Sequence, residues 1–327
     1  MIELDVRQVR VPVATLWTGP DAPRDVDAAA VLDVPDIEAW SRSVVTTELP
    51  GLTLSQLLLG EPVRVLEEAD GWSHVWALWQ ATGHAEGTPR GGYPGWLRTA
   101  HLGAPVEREE GVTAVVVRPQ AECQTDDGRG VRLSFGTPLW VDVVTELSAH
   151  VLLPDDLRGS LSLRDVALSH KRQQPTYGPD DVLARARQFL GLKYVWGGTS
   201  GWGLDCSGLV HLTYRSLGVA LPRDASDMAA AKEDIHDVPL DEVRAGDLYF
   251  FAKPGRPVTH VGFASEPVAH DGTRVMLHAP EGGGRIEECP MTAERLATLV
   301  SAGRVRKPDC GQLRSGGVPP TRASGSA

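Results

Sequence analysis

From Leu52 onward apolar and polar positions alternate in two runs, LSQLLLGEPVRVLEE and WSHVWALW, joined at Ala69-Asp70-Gly71. A period of two is that of a half-buried strand, and Asp-Gly supplies the turn. A loop containing Gly83, Gly87, Pro89, Gly91 and Gly92 follows, and YPGWLRTAHL closes the unit. Short strands joined by Gly and Asp turns predict a small β-barrel. The pattern returns after Val112: LSFGTPLWVDVV (133–144) mirrors LLLGEPVRVL, and RGSLSLRDVAL (158–168) mirrors YPGWLRTAHL. Such self-similarity predicts tandem copies of one module. Ahead of the first copy, residues 1–50 are rich in acids and Ala, with short apolar runs at Val9–Leu16 and Val44–Leu49.

The period changes after a polar linker, KRQQPTYGP (171–179). Asp180 and Asp181 can cap a helix over VLARARQFLGL, with Val182, Leu183, Ala186, Phe189 and Leu190 inward. A second helical spacing joins Leu209, Val210, Thr213, Tyr214 and Leu217, with Gly218 as its stop. An acidic stretch (233–242) precedes strand-like runs around Leu248–Phe251, Val258–Ala264 and Val275–Leu277. Helices first and antiparallel strands afterwards make an α+β arrangement. The expected organisation is a β unit with an N-terminal extension over 1–105, a second β unit over 111–170 and an α+β domain over 178–306. A disordered tail is expected over 308–327, where apolar content is too low for a core.

With 42% hydrophobic and 23% charged residues the 327-residue chain has the composition of an ordinary globular protein. Its net charge of −11 argues against nucleic acid or an anionic membrane surface as partner, since both select basic patches. No run of 18 apolar residues occurs, and the N-terminus carries Glu3 and Asp5 without an apolar core, so neither a membrane span nor a secretory leader is expected. The four cysteines (123, 206, 289, 310) show no CxxC spacing and the histidines no HxxxH, which predicts neither a disulfide framework nor a metal site. A cytoplasmic protein with reduced thiols, requiring no cofactor, is the expectation.

One cysteine stands apart. A glycine-rich aromatic loop (Trp196, Gly197, Gly198, Gly201, Trp202, Gly203) runs into Asp205-Cys206-Ser207-Gly208, placing Cys206 at the first turn of the second helix. Unpaired N–H groups and the positive dipole end there favour thiolate over thiol, and the thiolate is the nucleophile. The Cys206 N–H is also a candidate oxyanion donor. Neither G-x-S-x-G nor a phosphate loop ending in Lys-Ser/Thr is present.

YVWGGTSGWGLDCSGLV resembles the nucleophile motif of the NlpC family of cell-wall cysteine peptidases. LPRDAS (221–226), RAGDLYFF (244–251), VTHVGF (258–263) and MLHAP (276–280) match that family's further blocks in order. Met228 and Ala245 depart from it, where Gln and Pro are frequent; neither is a catalytic position. The resemblance covers about residues 178–306 and implies a papain-like fold, with Cys206 as nucleophile, His260 as its base and His278 as the group that orients His260. His270, in a turn-like AHDG, and His211, on another helix face, are left out. Both β units resemble bacterial SH3-like domains, the first through GEPV and GYPGW. In that combination the chain resembles γ-D-glutamyl-L-diamino-acid endopeptidases of muropeptide recycling. The substrate so implied is a short peptide with a free N-terminal L-Ala, such as L-Ala-γ-D-Glu-diaminopimelate. Tyr194, Asp205 and Ser207 would flank its first residue, with Glu61 and Tyr93 walling that end from the first β unit. A lysin anchored to intact wall by SH3-like units and a non-catalytic muropeptide-binding module are the alternatives.

Overall fold

The computed structural model describes residues 5–83, 92–106, 111–170 and 177–307. The expected tail, Cys310 and the middle of the glycine-rich loop that begins at Gly83 lie outside these residues.

The first β unit is a seven-stranded antiparallel sheet. Its spatial order is Thr53–Leu58, Val13–Trp17, Gly92–Arg98, Trp72–Ala81, Pro62–Ala69, Val6–Val9 and Leu102–Gly103. The second has Gly130–Ser134, Gln120–Thr125, Arg158–Ser162, Ser148–Leu152, Pro138–Val144, Val112–Val116 and Val166–His170. Numbered from their own first strands, the two sheets have the same order. The mirrored segments also build the same turn. Gly60 (φ +83°) and Gly136 (φ +82°) each donate 2.8 Å backbone hydrogen bonds to the first strand of their own unit, at Val9 O and Val116 O. Only glycine enters that region of φ without strain.

The first sheet begins at Val6, earlier than the alternation from Leu52 indicates. Val6–Val9 and Val13–Trp17 are too short and too closely flanked by charge to stand out, yet they pair with Arg64–Pro62 and Leu58–Thr53. Between Trp17 and Thr53 the chain inserts a short helix, α1 (Ile37–Ser43), whose Trp40 packs edge-on against Trp17 at 6.2 Å.

The third unit is the expected α+β domain. Helices α2 (Pro179–Arg187), α3 (Cys206–Arg215) and α4 (Ala225–Ala230) precede all strands of a six-stranded antiparallel sheet. Its order is Ile235–Val238, Leu299–Val305, Leu248–Phe251, His260–Ala264, Val275–His278 and Glu287–Pro290, with the one-turn helix α5 (Ala293–Leu296) before Leu299. The acidic stretch contributes Ile235–Val238 as an edge strand, where Asp237 faces solvent. Helix α2 buries Val182, Leu183 and Ala186 with Phe189 just beyond. Leu190 is 46% exposed instead of inward, because the helix has already ended at Arg187.

Helix α3 is buried on every side from Cys206 to Tyr214, as a helix at the centre of a core must be. Leu209, Val210 and Leu212 share one apolar cluster with Phe250, Phe263 and Leu277 of the sheet and with Trp17, Leu58 and Phe135 of the β units. Each such side chain contributes about 1.5–3 kcal/mol on burial. The three units are therefore one packed body around α3. No helix among the described residues is long and apolar enough to cross a membrane.

Candidate active site

Asp205 caps α3 and organises its start. One carboxylate oxygen accepts from Gly208 N (2.6 Å), and the other from Gly197 N in the glycine-rich loop (2.9 Å). Arg223, 1% exposed, grips the same carboxylate at 2.7 and 3.1 Å, donates to Ser207 Oγ at 2.9 Å and reaches Ser55 Oγ of the first sheet at 2.8 Å. A guanidinium buried so deeply is tolerated because its donors are paired, two of them with a carboxylate. Asp205 and Ser207 thereby hold the helix start.

Cys206 Sγ lies 3.9 Å from the carbonyl oxygen of Thr259, the residue before His260. Burial pushes the thiol up to about 12, and the negative charge of Asp205 adds to this. Burial thus opposes the thiolate that the dipole and N–H groups of the helix start favour.

His260 Nε2 and His278 Nδ1 are 2.9 Å apart, with their rings perpendicular at 89°. Gly262 makes room: a Cβ there would stand 2.9 Å from His278 Cβ. Burial holds both imidazoles below the usual histidine range, His278 at about 3. To take the thiol proton, His260 must present an unprotonated Nδ1, so its Nε2–H donates to His278 Nδ1. The His278 proton then sits on Nε2, 3.4 Å from Glu287 Oε1. His260 Nδ1 itself lies 3.3 Å from Glu281 Oε1, whose contact with His260 lowers that carboxyl and favours the imidazolium.

Tyr194 is 3% exposed, and its backbone N–H is bonded to Gly284 O at 2.8 Å, which ties it to the loop carrying Glu281. Burial raises its phenol, with Cys206, Asp205 and Glu281 close enough to add. Tyr93 of the first sheet donates to Asp224 Oδ2 at 2.8 Å, one residue from Arg223. Burial raises both of these groups.

Glu61 is elsewhere. It is 1% exposed, accepts from Leu58 N (2.8 Å) and Gln80 Nε2 (3.2 Å), and pairs with Arg215 Nη1 at 2.7 Å. Arg215 is at the far end of α3 from Cys206, so the wall role expected for Glu61 is not available to it. The structure brings together Cys206, His260, His278, Tyr194, Asp205, Ser207 and Tyr93. Arg223 and Asp224 complete this group and lie within LPRDAS, a block matched in the sequence from which no site residue was named. Glu281 and Glu287 had no such signal, since each stands among glycines or other acids.

The chemistry follows from this layout. It suits attack on a carbonyl by a thiol at Cys206 whose proton passes to His260, with His278 holding that ring and the Cys206 N–H, which lacks an acceptor within the helix, at the helix start where charge would develop on oxygen.

A buried thiol at a helix start, with a histidine pair behind it on adjacent strands, defines a cysteine peptidase. Residues 191–302 match the NlpC/P60 family. The chain is 30% identical over 300 residues to the gamma-D-glutamyl-L-lysine dipeptidyl-peptidase of Bacillus cereus, covering 86% of this chain and 85% of that protein. It is 32% identical over 290 residues to the protein of the same name from Bacillus subtilis, covering 86% and 92%. A crystal structure of an NlpC/P60 family protein from Bacillus cereus superimposes with a TM-score of 0.83 at 29% identity, over 93% of this chain and 100% of the other. The chain belongs to the NlpC/P60 family. It is a hydrolase of peptidoglycan peptides, with its papain-like domain at the C-terminal end.

Proposed function

We propose that the enzyme cleaves the γ-D-Glu–diamino acid bond of free muropeptides such as L-Ala-γ-D-Glu-diaminopimelate, releasing the N-terminal dipeptide. The observation that carries this reading is the Tyr93–Asp224 hydrogen bond. It brings the first β unit against the catalytic domain beside the Asp205–Arg223 clamp. A carboxylate with a single hydroxyl donor from that unit has acceptor capacity left for a substrate ammonium. In this reading Asp224 takes the part expected of Glu61, and Tyr93 keeps the part expected of it. The matches to the two dipeptidyl-peptidases extend over 86% of the chain and so include the β units. In this reading those units are SH3-like modules that close the site one dipeptide from the substrate's end. Such a site suits short free peptides of cytoplasmic recycling and not cross-linked wall. The test compares free with N-acetylated L-Ala-γ-D-Glu-diaminopimelate and with the L-Lys analogue. Cleavage confined to the free amine supports the reading, and equal cleavage of the acetylated peptide removes it.

A further inference from the structure

His278 has a second set of neighbours on the side away from His260. Glu287–Pro290 is the end strand of the six-stranded sheet, and it pairs with Val275–His278 so that Glu287 lies opposite His278 and Cys289 opposite Met276. Residues two apart on a strand share a face, and so do directly opposed ones. His278, Glu287 and Cys289 therefore converge, with their ligand atoms all within 4.8 Å of one another. Cys289 is a free thiol on a partly exposed edge, and the Glu287 side chain is 52% exposed, so an ion has a way in.

We propose that His278 Nε2, the Glu287 carboxylate and the Cys289 thiolate form an inhibitory site for a borderline-soft divalent cation of the zinc type. Imidazole, carboxylate and thiolate are the ligand types that such a cation takes, with a water completing the tetrahedron. Zinc–ligand distances of about 2.0–2.3 Å correspond to ligand atoms about 3.3–3.7 Å apart, so the trio must close by roughly 1 Å. Two of its side chains are on the exposed edge and can turn to do so. Arg295 is a cation close to His278 and Cys289, and the negative charges of Glu287 and the thiolate oppose its effect on an incoming ion.

The effect on catalysis follows from the protons. The active tautomer has hydrogen on Nε2 of both histidines. A cation on His278 Nε2 needs that lone pair, so the His278 hydrogen moves to Nδ1 and donates to His260 Nε2. His260 then carries its hydrogen on Nδ1, the atom that must accept the thiol proton. Each imidazole keeps one hydrogen throughout, and the only proton released is that of the Cys289 thiol. The base is disabled while Cys206 is untouched. The loss of turnover rests on the assigned role of His278, whereas the binding of the ion does not.

Two measurements separate these parts. Cobalt(II) added to the Cys206→Ser protein reports ligation by a near-ultraviolet thiolate-to-metal absorption, without any peptide. The band is expected in Cys206→Ser and absent from Cys206→Ser/Cys289→Ser. Zinc is expected to inhibit the unmutated enzyme reversibly, with chelator restoring the rate. Cys289→Ser, compared with its own metal-free rate, should need at least about tenfold more zinc, since even outer-shell changes cost that much affinity. A band that survives loss of Cys289, or none in Cys206→Ser, overturns the site. An unchanged zinc midpoint in Cys289→Ser, or cobalt bound with full turnover, overturns the switch.

Discussion

The Tyr93 hydroxyl donates a 2.8 Å hydrogen bond to Asp224 across 131 residues of sequence, joining the first β unit to the catalytic domain. Asp224→Asn should lower kcat/KM for the free tripeptide by roughly ten- to a hundredfold, equivalent to about 1.4–2.7 kcal/mol. Tyr93→Phe should cost less, because it removes only one neutral donor. Steady-state kinetics on free and N-acetylated peptide check this. An equal loss on both substrates would mean that Asp224 does not read the amine.

Cys206→Ser should fold and lose nearly all turnover, since an alkoxide forms far less readily than a thiolate. His260→Ala should lose roughly 10²–10⁴-fold, the usual contribution of a positioned base. His278→Ala should lose less, because it acts through His260. Single-turnover rates in the reverse order would exchange the roles of the two histidines.

Glu61 and Arg215 form a pair with side chains only 1% and 11% exposed. Arg215→Met leaves the carboxylate buried without its cation, and breaking such a pair costs about 3–5 kcal/mol. Glu61→Leu/Arg215→Met should recover much of that loss. Glu61→Gln should leave kcat/KM for the free tripeptide unchanged, because the pair lies at the far end of α3. Urea unfolding that finds Arg215→Met as stable as wild type would show the pair to be idle.

His211 is fully buried, its Nδ1 3.0 Å from Leu221 O, and burial first, then Arg215 and Arg223, holds it at about 3 against an ordinary 6.5. Between those values the unfolded chain binds a proton that the folded protein refuses. Stability contributed by the neutral ring is therefore present above pH 6.5 and is lost as pH falls from there toward 3. The slope is about 1.4 kcal/mol per pH unit for each such histidine, and His278 adds to it. His211→Gln should flatten the acid side of a stability–pH curve. An unaltered slope would place the acid sensitivity elsewhere.

Much of this enzyme is legible along the chain. The loop from Trp196 to Gly203, the helical spacing after Cys206 and the strand runs around His260 and His278 are local patterns. Local periodicity and turn chemistry are set by residues near one another in sequence, so the helix that starts at Cys206, the strands that carry His260 and His278 and the repeated order of the two β units could be read without coordinates. The parts given to those residues, and to Tyr93 in GYPGW, came from the family resemblance.

What each polar side chain faces was decided only in three dimensions. Glu61 meets Arg215 and Asp205 meets Arg223 because sheets and helices distant in sequence pack against α3, and no local pattern encodes which buried cation stands opposite which acid. Asp224 meets Tyr93 of the first sheet for the same reason. The environment of Cys206 was also beyond the sequence: its helix start favours the thiolate locally, whereas the burial that opposes it is a property of the whole packed body.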